Sequence, residues 1–429
     1  MANACDLTTQ QLQEQLEQLW KRYEPYRSMG LDMNVSRGLP CTEQLDLNNE
    51  LLSNLGPEDY ISEERADIRN YGVMYGLVEC RRLFSQLLEL PMDNIVIGGN
   101  SSFNLIYDAF SRIYCFGTLG EEPWCKQTGL KFLCPAPGYD CHFRITEAFG
   151  FEMINIPMTP DGPDMDLVER LVAEDPKIKG IWCVPLYSNP QGICYSDETV
   201  TRLAKMKTAA KDFRIFWDNA YVVHHLYKEH TLKNIYTEAE KYGTTDRILY
   251  FASTAKITFP GAGISVIASG DRMIAEIKEQ LKLQIFSHDK INQMRHVKYL
   301  KSPEHIRAHM REVAKILRPR FDLVDNLLHE NMMFDDLLTW FKPDGGYFIT
   351  VDTYPGCAAR ALALTDAVGV MMAAPGATYP YHKDPNDTNI RLAPTKPTIE
   401  ELKIAIPLFC ICVQIAGIEK LLEERKGQA

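Results

Sequence analysis

Three segments decide the fold: GIWCVPLYSNPQG (180–192), RIFWDNAY (214–221) and RILYFASTAK (247–256). Each contains a short run of β-branched and aromatic residues that then breaks into polar residues, Pro or Gly. Runs that are apolar on both faces predict strands buried on both sides, the pattern of a mostly parallel sheet. Four more such runs surround them: NIVIG (94–98), KFLCP (131–135), MINIP (153–157) and GISVIA (263–268). Helical segments lie between the runs. The expectation is a doubly wound α/β fold around a mostly parallel seven-stranded sheet.

Working outward, residues 1–28 predict an amphipathic helix with a threonine N-cap. Residues 30–60 predict irregular, extended chain, with turn formers at Gly30, Gly38 and Pro40. Beyond residue 300 the alternation stops. A long helix over 303–330 leads to two antiparallel-looking segments, GGYFITVD (345–352) and NIRLAP (389–394), and a final helix over 398–426. The organisation expected is an N-terminal arm with part of a small domain (1–60), a large domain (61–305) and a small α+β domain (306–429).

The composition narrows the function classes. The chain has 429 residues, 45% hydrophobic and 24% charged, enough to bury a sizeable core. A net charge of −11 argues against a nucleic-acid surface. No run approaches the roughly 18 consecutive apolar residues that span a bilayer, and the N-terminus lacks a signal-peptide layout. The twelve cysteines show no CxxC pair and no histidine at metal spacing, which predicts reduced thiols, no metal and a cytoplasmic protein.

Ligands of open α/β sheets bind at the carboxyl ends of the strands. There, the first run leads into Asn100, Ser101 and Ser102 ahead of a helix, a possible anion site or an ordinary cap. Asp218 ends one of the three deciding strands, and Ser253 and Lys256 follow the next. A buried carboxylate and a buried lysine are costly without partners. Pyridoxal 5'-phosphate supplies both: the lysine forms a Schiff base with its aldehyde, and the aspartate keeps its ring nitrogen protonated.

The ordered set Asn-Pro-x-Gly (189–192), Asp-x-Ala-Tyr (218–221), Ser-x-x-Lys (253–256) and a C-terminal Arg391 resembles the fold-type I pyridoxal-phosphate aminotransferases of class I, over nearly the whole chain. RGLP (37–40), GAGIS (261–265), DKINQMRH (289–296) and NIRLAP are most similar to the bacterial type Ic aspartate aminotransferases. The resemblance implies roles. Lys256 holds the cofactor and shuttles a proton; Asp218 pairs with the pyridine nitrogen; Tyr221 and Asn189 hydrogen-bond the phenolic oxygen. Tyr139 stacks on the ring, and Asn100, Ser101, Ser102 and Ser253 surround the phosphate. Arg391 grips the substrate α-carboxylate as a bidentate fork, with a backbone contact from Gly38. Tyr71 crosses to the partner subunit's phosphate, implying a homodimer with shared sites. Lys290 or Arg295, in a segment that in the family often reaches across from the partner subunit, reads a substrate side-chain carboxylate.

One departure stands out. Where relatives carry an arginine eight residues after the lysine, this chain has Ile264, leaving Ser265 or the Gly261–Gly263 backbone as candidate phosphate donors. His224 and His225 have no metal spacing and read as structural or solvent-facing. The implied reaction moves an amino group from an amino acid, aspartate first, to a 2-oxo acid, 2-oxoglutarate first. The alternatives are a transaminase of aromatic or neutral amino acids, or a lyase on the same scaffold. A DNA-binding regulator of this fold is rejected, because the residues before Tyr71 read as an arm and not as a basic reader module.

Overall fold

The computed structural model describes residues 3–428. Its main sheet has eight strands, in the order Ile95–Ile97, Ser265–Ala268, Ile248–Ser253, Arg214–Asp218, Ile178–Cys183, Lys131–Ala136, Glu152–Thr159 and Gly162–Pro163. All seven expected runs are strands. The eighth, Gly162–Pro163, is a two-residue hairpin return on Met158 and Thr159, too short to leave a periodic signal. The five central strands run parallel, whereas Ser265–Ala268 is antiparallel to both its neighbours.

Strict period-two alternation divides the sheet between two cores. Ile181, Ile215, Trp217 and Ala252 face one core, and Trp182, Phe216, Leu249 and Phe251 face the other. Phe110 sits at the centre of the second core, against Phe132, Trp124 and Phe151 at 5.2–5.6 Å between ring centroids. Both faces being buried explains why these strands lack polar alternation.

The C-terminal part forms as expected, with small extensions. Helices span Pro303–Asn331 and Ile399–Gln428, and Ile349–Thr353 pairs antiparallel with Asn389–Leu392. A third strand, Leu338–Trp340, completes that sheet. The last helix is the one helix among the described residues long and apolar enough to cross a membrane. However, 78% of its apolar window is buried, packed on helices Thr9–Tyr23, Pro303–Asn331 and Ala358–Asp366. It is a core helix.

At the N-terminus, Thr8 caps Thr9–Tyr23 through a reciprocal box with Gln11; Met1 and Ala2 lie outside the described residues. The segment expected to be irregular contains a short helix, Thr42–Asp46, and a strand, Met33–Asn34, running parallel to Val370–Met371. That pairing draws residues 33–40 against the C-terminal part of the chain, where Val35 O accepts from Ala393 N–H and Thr395 Oγ1 donates to Leu39 O. All twelve cysteines are free.

Candidate active site

A cavity of about 510 Å³ opens at the carboxyl ends of the parallel strands, as the fold predicts. Asp218, Ser253 and Lys256 line it from the sheet. Ser101 and Ser102 line it from the start of helix Ser102–Phe116, Tyr139 from the start of helix Asp140–Ala148, and Arg391 from the small sheet. A roomier cleft of about 880 Å³ lies beyond the Gln191–Gly192 turn, but contains neither Lys256 nor Asp218.

Asp218 is the most constrained group here. It is buried at the last residue of its strand, and His142 Nε2 lies 3.1 Å from Oδ2. The imidazole is itself buried and stacked on Trp182, with centroids 4.5 Å apart. Trp182 Nε1 in turn donates to Thr146 Oγ1 at 2.8 Å. The other oxygen, Asp218 Oδ1, is buried with no hydrogen-bond partner among the described residues. A buried unpaired carboxylate oxygen costs stability unless a ligand donor meets it.

Lys256 is half-buried, and its amine has no hydrogen bond or ion pair among the described residues. The Nζ lies 5.1 Å from the Tyr221 ring centroid and 5.8 Å from that of Tyr347. Burial pushes its pKa below the usual lysine value, opposed by the negative charge of Asp218. Burial drives the Tyr221 hydroxyl the opposite way, with help from Asp218, so it stays protonated. Tyr347 braces the lysine backbone by donating to Lys256 O at 3.3 Å, and accepts from Gln44 Nε2 at 2.9 Å. His224 is buried edge-on to Tyr221 and Tyr347, and burial holds its pKa down to about 3, so it is a neutral packing group.

Arg391 lies opposite Thr350 in the small sheet and points into the same cavity. Its Nη1 donates to Asp140 Oδ1 at 3.1 Å and to Asn189 Oδ1 at 3.2 Å, and its Nη2 to Ser36 O at 3.5 Å. The guanidinium carbon lies 4.8 Å from the Phe348 ring centroid. Gly38 packs on the same ring: a Cβ there would stand 2.6 Å from Phe348 Cζ, so only glycine lets the backbone approach. With its carbonyl turned to Arg391, Asn189 leaves its amide nitrogen without a partner among the described residues.

The structure does not assemble every expected residue here. Asn100 is exposed and donates to Pro260 O. Tyr71 is 81% exposed, 5.5 Å from the ring of the equally bare Phe286, and outside this cavity. The Lys290 side chain is buried and donates to Ser287 Oγ, and Arg295 is half-buried; neither lines the cavity. Ile264 packs in the core. The Ser265 hydroxyl donates to Gly99 O and the Ala262 N–H to Phe259 O, and neither Ser265 nor residues 261–263 line the cavity. Conversely, sequence reading missed His142, Arg37, Asp140 and Arg144. His142 had a usable signal, since it lies three residues after Tyr139, one helical turn away.

These groups, in this chain order and on this sheet, match a known family. The sequence profile of the aspartate amino-transferases fits residues 7–425. The chain belongs to that family. It is 42% identical over 418 residues to a protein of Mycolicibacterium smegmatis named as an aminotransferase, covering 96% of this chain and 97% of that one. It is 39% identical over 405 residues to an aspartate aminotransferase of Corynebacterium glutamicum, covering 94% of each. The crystal structure of an aspartate transaminase from Corynebacterium glutamicum superposes with a TM-score of 0.95 at 38% identity, covering 98% of this chain and 99% of that one. The protein is an aminotransferase of the fold-type I architecture, acting between amino acids and 2-oxo acids.

Proposed function

We propose that this aminotransferase uses pyridoxal 5'-phosphate to transfer the amino group of aspartate to 2-oxoglutarate. The observation that carries the cofactor is the pairing, in one cavity, of the partnerless Asp218 Oδ1 with the partnerless Lys256 amine. The remaining lining fits the same group. Tyr139 offers an aromatic face, Asn189 an amide donor, and the Ser102 and Ser253 hydroxyls have no partners among the described residues. The amino end of helix Ser102–Phe116, whose Phe103 N–H is capped by Ser101 Oγ, adds the positive end of the dipole for a phosphate.

Bound there, the cofactor supplies an electron sink that makes the substrate Cα–H bond acidic. The chain supplies the rest. Asp218, oriented by His142, holds a proton on the ring nitrogen. Burial lowers the pKa of Lys256, so that its amine would be available to hold the cofactor aldehyde and to carry the Cα proton. Arg391 exchanges Asp140 for the substrate α-carboxylate and so fixes Cα above the lysine. Tyr221, which stays protonated, would donate a hydrogen bond to the cofactor's phenolic oxygen.

The exposed Tyr71–Phe286 pair supports a homodimer in which Tyr71 reaches the partner's site. Twelve free thiols favour a reducing, cytoplasmic setting, and the acidic surface favours small-molecule partners over nucleic acid or membrane. The test is the half-reaction. Aspartate alone should convert the cofactor spectrum from aldehyde to amine form, and 2-oxoglutarate should reverse it. Conversion by aromatic or neutral donors only would move the substrate elsewhere, and release of ammonia or carbon dioxide would favour a lyase.

A further inference from the structure

A dicarboxylic substrate brings a second carboxylate into the cavity, and a buried unpaired charge is too costly to bind. Four cations line the cavity: Arg37, Arg144, Lys256 and Arg391. On the proposed function, Lys256 would be committed to the cofactor and Arg391 to the α-carboxylate. Arg144 is already partnered, with Asp140 Oδ2 at 3.6 Å and Cys141 Sγ at 2.9 Å. Of the three arginines, only the exposed Arg37 has no hydrogen bond or ion pair from its guanidinium among the described residues.

Its backbone is held where such a reader must stand. Ser36 O, one residue before, accepts from Arg391 Nη2, and Gly38, one residue after, packs on the Phe348 ring that lies beside Arg391. Arg37 O accepts from Leu39 N–H at 2.9 Å, and the flanking Val35 and Leu39 are tied to Ala393 and Thr395. The two carboxylates of aspartate are separated by three C–C bonds. A guanidinium hinged one residue from the α-carboxylate site therefore reaches the second, and its planar fork suits a carboxylate.

We infer that Arg37 reads the distal carboxylate of a dicarboxylic substrate, in place of Lys290 or Arg295, which do not line the cavity of their own chain. This rests on the aspartate reading, so the unmutated holoenzyme is assayed first on aspartate and alanine. If it shows no preference for aspartate, the substrate reading fails, whatever Arg37 does. Given that preference, Arg37→Gln should lose roughly 100-fold in kcat/KM on aspartate and less than about threefold on alanine. Arg37→Lys should recover part of the loss.

Binding gives a second readout independent of turnover. Maleate, a dicarboxylate with no amino group, titrated against the cofactor absorbance of the holoenzyme, should bind Arg37→Gln no better than butyrate, while the unmutated enzyme separates the two. Equal losses on both donors, unchanged maleate affinity, or cofactor loss from Arg37→Gln would each overturn the assignment. So would Arg144→Gln or Arg295→Gln removing the aspartate preference while Arg37→Gln keeps it.

Discussion

The two ends of the cavity are built on opposite terms. At the sheet end, Asp218, Ser253 and Lys256 sit at or just beyond the tips of parallel strands, and Asp218 Oδ1, the Ser253 hydroxyl and the Lys256 amine are left without protein partners among the described residues, His142 holding only Asp218 Oδ2. At the small-sheet end, the Arg391 Nη groups already have protein partners in Asp140, Asn189 and Ser36, and only its buried Nε has none among the described residues. A group that holds one resident ligand is kept open for it. A group that meets a new substrate at each turnover is parked on an internal carboxylate, which lowers the desolvation cost between visits. The sheet end should therefore respond to mutation in chemistry, and the other end in substrate affinity.

The largest effect belongs to the sheet end. Lys256→Ala should abolish the visible absorbance of lysine-bound cofactor and lower turnover by about 10⁴-fold or more, because tether and proton carrier are lost together. Normal turnover in this variant would sink the assignment. Asp218→Asn should keep the fold and the cofactor but slow Cα proton exchange by roughly 10³-fold, which hydrogen–deuterium exchange at the substrate Cα measures. If exchange is unaffected, the ring nitrogen is held by another group.

At the opposite end, Arg391→Lys should cost about 3 kcal/mol in kcat/KM, near 100-fold, carried mostly by KM for every amino acid donor. A loss confined to kcat would erase the contrast between the two ends. Asp140→Asn should act the other way, lowering KM by up to about fivefold, since the competing carboxylate is gone. A raised KM would mean that Asp140 positions Arg391 and does not compete for it.

The smallest effect concerns stability. A lysine whose folded pKa lies below its unfolded value penalises the apoprotein in full below the folded pKa. The penalty fades as pH rises toward the unfolded value near 10.5. Lys256→Met should thus raise the apoprotein melting temperature at neutral pH, with the gain shrinking as pH climbs. Calorimetry at several pH values checks the sign, and a gain that grows with pH would contradict a depressed lysine.

The sequence by itself determined the seven strands and the ordered residues at their tips. Burial on both faces of a parallel sheet forces continuous apolar runs, and catalytic groups at strand ends must interrupt those runs with polar residues that stand out. The long helices were legible for a similar reason, since a sustained period survives small errors at the ends. The tertiary structure alone decided what the other cavity wall contains. Arg37, Asp140 and Arg391 lie far apart in the chain, and no local pattern links 36–38 to 391 before Met33–Asn34 pairs with Val370–Met371. Nor could the sequence tell which cations are spent: Lys290 reads as an available charge, but its side chain is buried and donates to Ser287 Oγ. Whether a charge is free to meet a ligand depends on burial and on partners supplied by other segments, which only the folded chain brings together.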